Sequence, residues 1–175
     1  MPISEYLRAM REKVGSAPVM MIAVCALVLD ERDRILLHRA ADDGRWHTIG
    51  GAIDPHEEPA DAAVREAREE TGLLVEPVRL VGVYADEPLT YANGDVVLYH
   101  SIAFECRIRG GTLHIADDES LELKFFAADE LPPLRALDRH RILHALKRED
   151  RAEFRLSSLS PSEEVTTKWW VEGQG

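Results

Sequence analysis

The distribution of apolar residues along the chain predicts several short strands. Val19 to Leu29 is an almost continuous aliphatic run, which is typical of a strand buried on both faces. The polar residues 30–33 separate this run from Arg34 to Arg39, so the two segments are expected to form a hairpin. Further strands are predicted at Trp46 to Ile49, Val78 to Tyr84, Val96 to Arg107 and Glu122 to Phe126.

The clearest helix in the sequence runs from Pro59 to Thr71. Proline suits the first turn of a helix, because an N–H group there would have no intrahelical partner. Ala60, Ala63 and Ala67 form a narrow apolar stripe that favours close packing. Gly72 follows the last periodic residue, where a left-handed helix cap is expected.

Two more helices are predicted near the ends of the chain. Residues 4–14 have a capping serine, Ser4, followed by Leu7 and Met10 at helical spacing. The segment from Arg135 to Arg148 is the other predicted helix. Since strands and helices are interleaved, the expected fold class is α/β, with helices layered on a sheet.

The 175 residues are enough for one domain, which we place at residues 1–156. From residue 157 to 175 the composition shifts to Ser, Pro, Thr and Glu, which predicts a loosely held tail. Trp169 and Trp170 stand out in this tail. Two adjacent tryptophans seldom stay exposed, so we expect them to pack on the domain or on a second subunit.

Charge and composition narrow the classes of partner. The formal net charge of −11 argues against binding of bulk nucleic acid, because phosphate backbones need a basic surface. A small phosphate compound is still compatible if divalent cations lie between it and the protein. The apolar run from Ala17 to Leu29 is too short to cross a membrane, and no signal peptide is recognised. Cys25 and Cys106 are predicted to be buried thiols, which fits a reducing cytoplasm.

Three carboxylates mark the chemistry of the central helix. Glu66, Glu69 and Glu70 stand at i, i+3 and i+4, so they share one helix face and repel one another. A hard cation such as Mg²⁺, or alternatively Mn²⁺, would offset this repulsion through oxygen ligands. An ordinary solvated acidic face is the competing interpretation. The glycine pair Gly50-Gly51 just before the helix favours a metal–phosphate site, because glycines let the backbone approach a ligand closely.

The segment from Gly51 to Leu73 resembles the Nudix box, G-x5-E-x7-R-E-U-x-E-E-x-G-U with U an aliphatic residue. Each specified position is met, and these positions are Gly51, Glu57, Arg65, Glu66, Ala67, Glu69, Glu70, Gly72 and Leu73. Two neighbouring positions depart from the commonest form. Ile49 stands where proline is frequent, and His56 stands where glycine is frequent.

This resemblance to the MutT-like diphosphohydrolases implies an α/β/α sandwich with a central mixed sheet. It implies Mg²⁺ ligands at Glu66, Glu69 and Glu70, with the carbonyl of Gly50 as a further ligand. Catalysis would involve Glu69, Glu70 and Arg65, where Arg65 and Glu57 hold the loop against the helix. A carboxylate outside the box is expected to act as the base. Glu119 in the acidic loop 117–122 is the preferred candidate and Glu122 the alternative, while an ordinary solvated turn stays open.

The implied activity is cleavage of the diphosphate linkage in a nucleoside diphosphate derivative. ADP-ribose or a similar nucleotide sugar is the best guess for the substrate, and a non-catalytic sensor of such a compound is the alternative. Arg39 and Trp46 flank the site loop and are weaker candidates for substrate contacts, although Trp46 also suits the core. His140 and His144 are expected at the surface. A homodimer is plausible from the resemblance and from the tryptophan pair.

Overall fold

The computed structural model describes residues 5–91, 93–116, 119–153 and 155. Its helices are α1 (Glu5–Val14), α2 (Pro59–Thr71) and α3 (Ala136–Lys147). Its strands are β1 (Val19–Leu29), β2 (Ile35–Ala40), β3 (Trp46–Thr48), β4 (Leu73–Ala85), β5 (Leu89–Thr90), β6 (Val96–Gly111) and β7 (Ser120–Phe126). The predicted tail, with Trp169 and Trp170, lies outside the described residues.

One mixed sheet organises this part of the chain. Its main path runs β3-β2-β1-β6-β4, with β7 beside β2 and β5 beside β6. Strands β1 and β6 run parallel, whereas the other strand pairs are antiparallel. The predicted hairpin is confirmed, since β1 and β2 pair around a turn that closes at Leu29 and Ile35. The α/β fold with a mixed central sheet is therefore as expected.

Helices cover both faces of the sheet, because successive residues of a strand point to opposite sides. On β1, Val24, Ala26 and Val28 pack with the alanines of α2. Cys25, Leu27 and Leu29 point the other way and pack with residues of α3. Helix α1 forms a third, smaller cluster with the start of β1, through Leu7, Val19 and Met21. The central sheet thus lies between helical layers.

The prediction that β1 is buried on both faces is correct only for its second half. Every residue from Val24 to Leu29 is buried, but Met20 is 66% exposed and Ile22 is 54% exposed. Both point to the α2 side of the sheet. Helix α2 covers this face only from Val24 onward, so an aliphatic sequence did not ensure a covered strand.

Helix α2 begins and ends where its local signals predict. Pro59 occupies the first turn, and Gly72 closes the helix in the left-handed conformation with φ of 71°. The N–H of Gly72 donates to the carbonyl of Arg68. Ala62, Ala63 and Ala67 are fully buried, so the backbone of the helix lies close to the sheet. This close packing fixes the rotation of α2 about its axis, and therefore the position of its carboxylates relative to the strands.

Both cysteines are free and buried, as predicted. Burial raises the pKa of Cys25, and it raises the pKa of Cys106 to about 12. Neither thiol is therefore a ready nucleophile. None of the described helices combines the length and the apolarity that a membrane crossing requires.

Candidate active site

The loop between β3 and α2 is attached to the middle of the sheet by backbone hydrogen bonds. The N–H of Val24 donates to the carbonyl of Gly51 at 2.8 Å, and the N–H of Ala26 donates to that of Ile49 at 2.8 Å. The N–H of Ile53 donates to Ile22 at 3.1 Å. The loop is thus held along β1 before the chain enters α2, which makes it a rigid platform beside the helix.

Gly50 and Gly51 are required at this platform for different reasons. Gly50 has φ of 150°, and a Cβ there would overlap the backbone of Val24. A Cβ on Gly51 would overlap the carboxylate of Glu66. The first glycine therefore lets the loop lie against the strand, and the second leaves space for an acidic side chain. His56, further along the loop, takes a left-handed φ of 71°, which explains why glycine suits its position.

The carboxylates of α2 differ in their surroundings. The side chain of Glu69 is 59% exposed, whereas those of Glu66 and Glu70 are 13% and 6% exposed. One oxygen of Glu70 accepts a hydrogen bond from the N–H of Gly50 at 3.2 Å. The structure thus places two of the predicted metal ligands between the helix and the glycine loop, and leaves the third at the surface.

Burial raises the pKa of Glu66 above its ordinary value. Hydrogen bonding to Arg65 opposes this effect, while the negative charges of Glu69 and Glu119 add to it. Glu119 is half-buried at the start of β7, so the fold brings it into the electrostatic field of the helix although it is far away in sequence. Glu66, Glu69 and Glu119 therefore form one acidic cluster.

Arg65 lies among the carboxylates of the motif. Its guanidinium donates to both oxygens of Glu57 at 2.8 and 2.9 Å, to Glu66 at 2.8 Å and to Glu69 at 3.1 Å. It also donates to the carbonyl of Ala52 at 3.1 Å, which ties it to the loop. The hydrogen bond from Arg65 lowers the pKa of Glu57. Arg65 and Glu57 thus link the loop to the helix in the way that the motif predicts.

The two candidates for the base differ in their partners. Glu122 on β7 lies opposite Arg39 on β2, and their side chains form an ion pair at 3.3 Å. Glu119 instead belongs to the acidic cluster, and its carbonyl accepts a hydrogen bond from the N–H of Ala41 at 2.7 Å. Asp117 and Asp118 lie outside the described residues. Of the two glutamates, Glu119 acts electrostatically on Glu66 of α2, whereas Glu122 is paired with Arg39.

Trp46 and Arg39 face each other across β2 and β3. The ring of Trp46 packs edge to face on Phe126, with 4.9 Å between ring centroids, and belongs to the α3-side core. The rim or core role that the sequence also suggested for Trp46 accounts for this contact. Arg39 is 39% exposed and pairs with Glu122, so its guanidinium lies at the edge of the acidic region.

His38 is a neighbour of the site that the sequence did not reveal. Its Nδ1 atom lies 3.0 Å from the hydroxyl of Ser120 and 3.9 Å from Oε2 of Glu70. Its ring is also 5.9 Å from that of His47, which contacts Asp43 at 3.0 Å. A lone histidine within an aliphatic strand carries no sequence signal of its own. The pairing of β2 with β7 brings it to Ser120, and the packing of α2 beside the sheet brings it to Glu70.

The sequence also missed a polar cluster around α3. Asp138 and Arg141 are 0% and 3% exposed, and Arg141 is ion-paired with Asp86 after β4. These residues line a recess together with Glu87, Arg135, Ala136 and Leu137. His144 is 7% exposed, so its predicted surface location is wrong, whereas His140 is exposed and contacts Glu153. Helix α3 lies on the sheet through a face that carries charged residues, which apolar spacing could not identify.

The donor set suits a hard divalent cation. Among the described residues, no three His, Cys, Asp or Glu side chains converge closely enough to hold a metal ion as they stand, and Arg65 neutralises part of the cluster instead. The candidate ligands are nevertheless all oxygens, which Mg²⁺ prefers. The space left by the missing Cβ of Gly51 accommodates the Glu66 carboxylate at the loop. The chemistry of these donors therefore fits the expected ion, and the side chains of Glu66, Glu69 and Arg65 would rearrange to bind it.

The family model described as NUDIX domain matches residues 19–167, which is most of the chain. The chain belongs to the Nudix family. A MutT-like protein of Streptomyces ambofaciens is 32% identical over 120 residues, which cover 69% of this chain and 72% of that protein. The 8-oxo-dGDP phosphatase NUDT18 of Mus musculus is 34% identical over 131 residues, but the match spans only 37% of its length.

Solved structures agree with this membership. An ADP-ribose pyrophosphatase from Streptococcus suis superposes with a TM-score of 0.56 at 30% identity, over 76% of this chain and 96% of that one. The recognition of the Nudix family from the motif is therefore confirmed, and so are the fold and the assignment as a Nudix hydrolase. The similar proteins carry different substrate names, so membership in the family leaves the substrate open.

Proposed function

We propose that this Nudix hydrolase is a Mg²⁺-dependent pyrophosphohydrolase that cleaves the diphosphate linkage of a nucleoside diphosphate derivative. The observation that carries the proposal is the acidic cluster of Glu66, Glu69 and Glu119 beside the Gly50-Gly51 loop, with Glu70 hydrogen-bonded to that loop. Like-charged carboxylates that share one helix face repel one another, and Arg65 offsets this repulsion only in part, so a cation would stabilise them. A diphosphate, which is also anionic, needs the same cation to approach them.

Each candidate residue of the site then has a defined part in the proposed reaction. Glu66, Glu69, Glu70 and the carbonyl of Gly50 would hold the Mg²⁺, with Mn²⁺ as an alternative. When bound, the ion neutralises the diphosphate and lowers the pKa of the attacking water. Glu119 accepts the proton of that water, and the oxygen attacks phosphorus as the phosphate–oxygen bond of the leaving group breaks. Arg65 keeps the helix carboxylates and the loop in register, and Arg39 would leave its ion pair with Glu122 to contact the phosphates.

ADP-ribose or a similar nucleotide sugar is the proposed substrate. The support is the likeness to the Streptococcus suis ADP-ribose pyrophosphatase, of which this chain covers nearly the whole length. The name of the mouse 8-oxo-dGDP phosphatase makes an oxidised nucleotide the compound to test beside it. A cytoplasmic location, the domain division at residue 156 and a homodimer stay predictions.

The test is turnover of a nucleotide panel with and without Mg²⁺, in wild type and in Glu69→Gln and Glu70→Gln variants. The panel contains ADP-ribose, two other nucleotide sugars, NAD and 8-oxo-dGDP. Glutamine keeps the shape but removes the charge that holds a cation, so kcat should fall at least about 100-fold, which corresponds to roughly 2.7 kcal/mol of the barrier. Glu12→Gln on α1 is the matched control, because Glu12 is exposed and lies outside the motif in the sequence.

A second variant tests the base. With Glu119→Gln, kcat should fall while Mg²⁺ still raises the melting temperature, and the acid limb of the kcat–pH profile should disappear. Unchanged kcat in this variant would remove Glu119 from the mechanism. If no compound is turned over but one of them raises the melting temperature, the non-catalytic sensor is the better account.

A further inference from the structure

Half of one sheet face is left open in the described structure. Its exposed apolar side chains are Met20 and Ile22 on β1 and Leu80 and Val83 on β4, with exposures of 66%, 54%, 39% and 51%. We call these four residues, together with Leu98 and Ile102 of β6 between them, the open sheet face. Leu98 and Ile102 are themselves half-buried.

The strand register shows that these residues share one side of the sheet. Met20 lies beside Leu98 across the parallel pair of β1 and β6. Ile102 lies between Val24 of β1 and Val83 of β4. Val24 points to α2, so the open sheet face is the continuation of the α2 side beyond the helix. The exposed His100 of β6, opposite Ile22 and Ala85, lies among these apolar side chains, and a largely apolar exposed surface of this kind marks an interaction site.

The chain itself passes the edge of this face. After α3 it returns to β4, where Glu153 pairs in parallel with Gly82 and its N–H donates to the carbonyl of Val81 at 2.8 Å. Gly82 is the direct neighbour of Val83 in the open sheet face. The described residues stop at Arg155, and residues 156–175 follow in the sequence. These residues contain Trp169, Trp170 and Val171.

The remaining segment is long enough to reach all of the face. Residue 169 is roughly 14 residues beyond Arg155, which corresponds to a reach of up to about 45 Å when extended. From β4 across β6 to β1 the distance is two strand spacings, or about 10 Å. The tryptophan pair can therefore reach Val83, Ile102 or Ile22 without strain in the connection.

We propose that residues 156–175 of the same chain pack on the open sheet face, with Trp169 and Trp170 covering Val83 and its neighbours. The open sheet face exposes aliphatic side chains, and Trp169, Trp170 and Val171 are the apolar cluster that the segment contains. A segment tethered next to its own binding surface has an effective concentration in the millimolar range, so it competes well against a second copy of the chain. The proposal does not depend on the substrate of the enzyme.

The experiment uses the tryptophans as reporters in the full-length chain. The protein has three tryptophans, so Trp46→Phe leaves only Trp169 and Trp170. In this background we expect blue-shifted emission and an acrylamide quenching constant several-fold below that of free tryptophan. Val83→Asp should raise the quenching constant towards that of free tryptophan. A carboxylate needs contact with water, and an apolar segment packed on it would remove that contact. Met20→Glu is a second variant on the same face.

Val14→Asp is the matched control, since Val14 is 44% exposed on α1 and lies outside the open sheet face. It should leave the quenching constant unchanged. Sedimentation at several protein concentrations separates the alternatives. Protection that appears only together with a dimer would show that a second copy is the occupant, and would overturn the proposal. Two further results would overturn it as well. One is full accessibility of Trp169 and Trp170 in the Trp46→Phe protein, and the other is equal protection of both in the Val83→Asp, Met20→Glu and Val14→Asp variants.

Discussion

Gly50 and Gly51 are adjacent residues with separable roles. An alanine at position 50 would place its methyl group against the backbone of Val24. Its own backbone would also have to adopt a positive φ. Gly50→Ala should therefore lower the free energy of unfolding by about 2–3 kcal/mol. A methyl group on Gly51 meets only the end of the flexible Glu66 side chain. Gly51→Ala should leave stability within about 1 kcal/mol while kcat falls, because Glu66 must move.

Urea unfolding and turnover of the two alanine variants check this separation. Gly15→Ala tests the cost of a positive φ alone, because Gly15 has φ of 62° and open space around it. Its loss of stability should be smaller than that of Gly50→Ala. If Gly51→Ala lost as much stability as Gly50→Ala and kept full kcat, the space at Gly51 would serve packing and not the carboxylate.

Glu57 makes stability depend on pH through its contact with Arg65. The hydrogen bond from Arg65 lowers the pKa of Glu57 in the folded state. The unfolded chain thus binds more protons, so the stabilisation is present above the unfolded pKa of about 4.3 and is lost as pH falls through the folded value. Glu57→Gln should reduce the free energy of unfolding at pH 7, and the difference from wild type should shrink below about pH 4.

Denaturant titrations of wild type and Glu57→Gln from about pH 3 to 7 measure this difference. Glu58→Gln is the neighbouring control, because Glu58 is exposed. A deficit that is the same at every pH would mean that Glu57 acts through shape and not through its charge.

Elements with strong local signals were predictable, and elements shaped by tertiary contacts were not. Helix α2 has its proline, its alanine stripe and its glycine cap within a few residues, and its observed bounds are the predicted ones. Strand β4 begins at Leu73, five residues before the predicted start at Val78. Its register shifts near Val75, Arg79 and Gly82 break the period of two, and Pro77 within it argues against a strand.

The same distinction holds within the candidate site. The carboxylates of α2 and the glycine loop are close in sequence, so their spacing alone indicated a shared chemistry. Glu119 is brought to the site by the pairing of β7 with β2, and His38 approaches Glu70 through the packing of α2 beside the sheet. The sequence itself favours Glu119 over Glu122, and the role of Glu119 as the base stays a prediction, whereas the ion pair of Glu122 with Arg39 is visible only in the structure.

Helix α3 is attached to the sheet partly by buried charges. Arg141 is ion-paired with Asp86, lies 3.5 Å from Asp138, and has its guanidinium 5.4 Å from the ring centre of Tyr84. Arg141→Met would leave the fully buried Asp138 with fewer compensating partners. We expect it to lower the free energy of unfolding by about 3–5 kcal/mol.

Urea unfolding checks this prediction against Arg139→Met, two residues earlier on the exposed side of α3. The control should change stability by no more than about 0.5 kcal/mol. Equal small effects of the two substitutions would show that apolar packing, and not the ion pairs, holds α3 on the sheet.

In the whole molecule, the central position of β1 determines which surfaces come together. Its parallel pairing with β6 places residues that are about 80 positions apart side by side, from Val19 with Val97 to Leu29 with Arg107. A sequence pattern predicts both strands but not this order, because nothing local specifies a long-range partner. The loop of the candidate site pairs with the edge of β1. The open sheet face begins on β1 where α2 no longer covers the strand.

The net charge of −11 also acts at this scale, because it repels an anionic substrate before any contact forms. Salt shortens the range of this repulsion to about 10 Å at 0.1 M. With Mg²⁺ saturating, raising KCl from roughly 20 to 200 mM should leave KM for a nucleotide sugar unchanged or lower it. A several-fold increase of KM would instead mean that local cations such as Arg39 attract the substrate more strongly than the whole molecule repels it. Initial rates at a series of substrate concentrations decide between these outcomes, with uncharged sucrose at matched osmolarity as the control for non-ionic effects of the added solute.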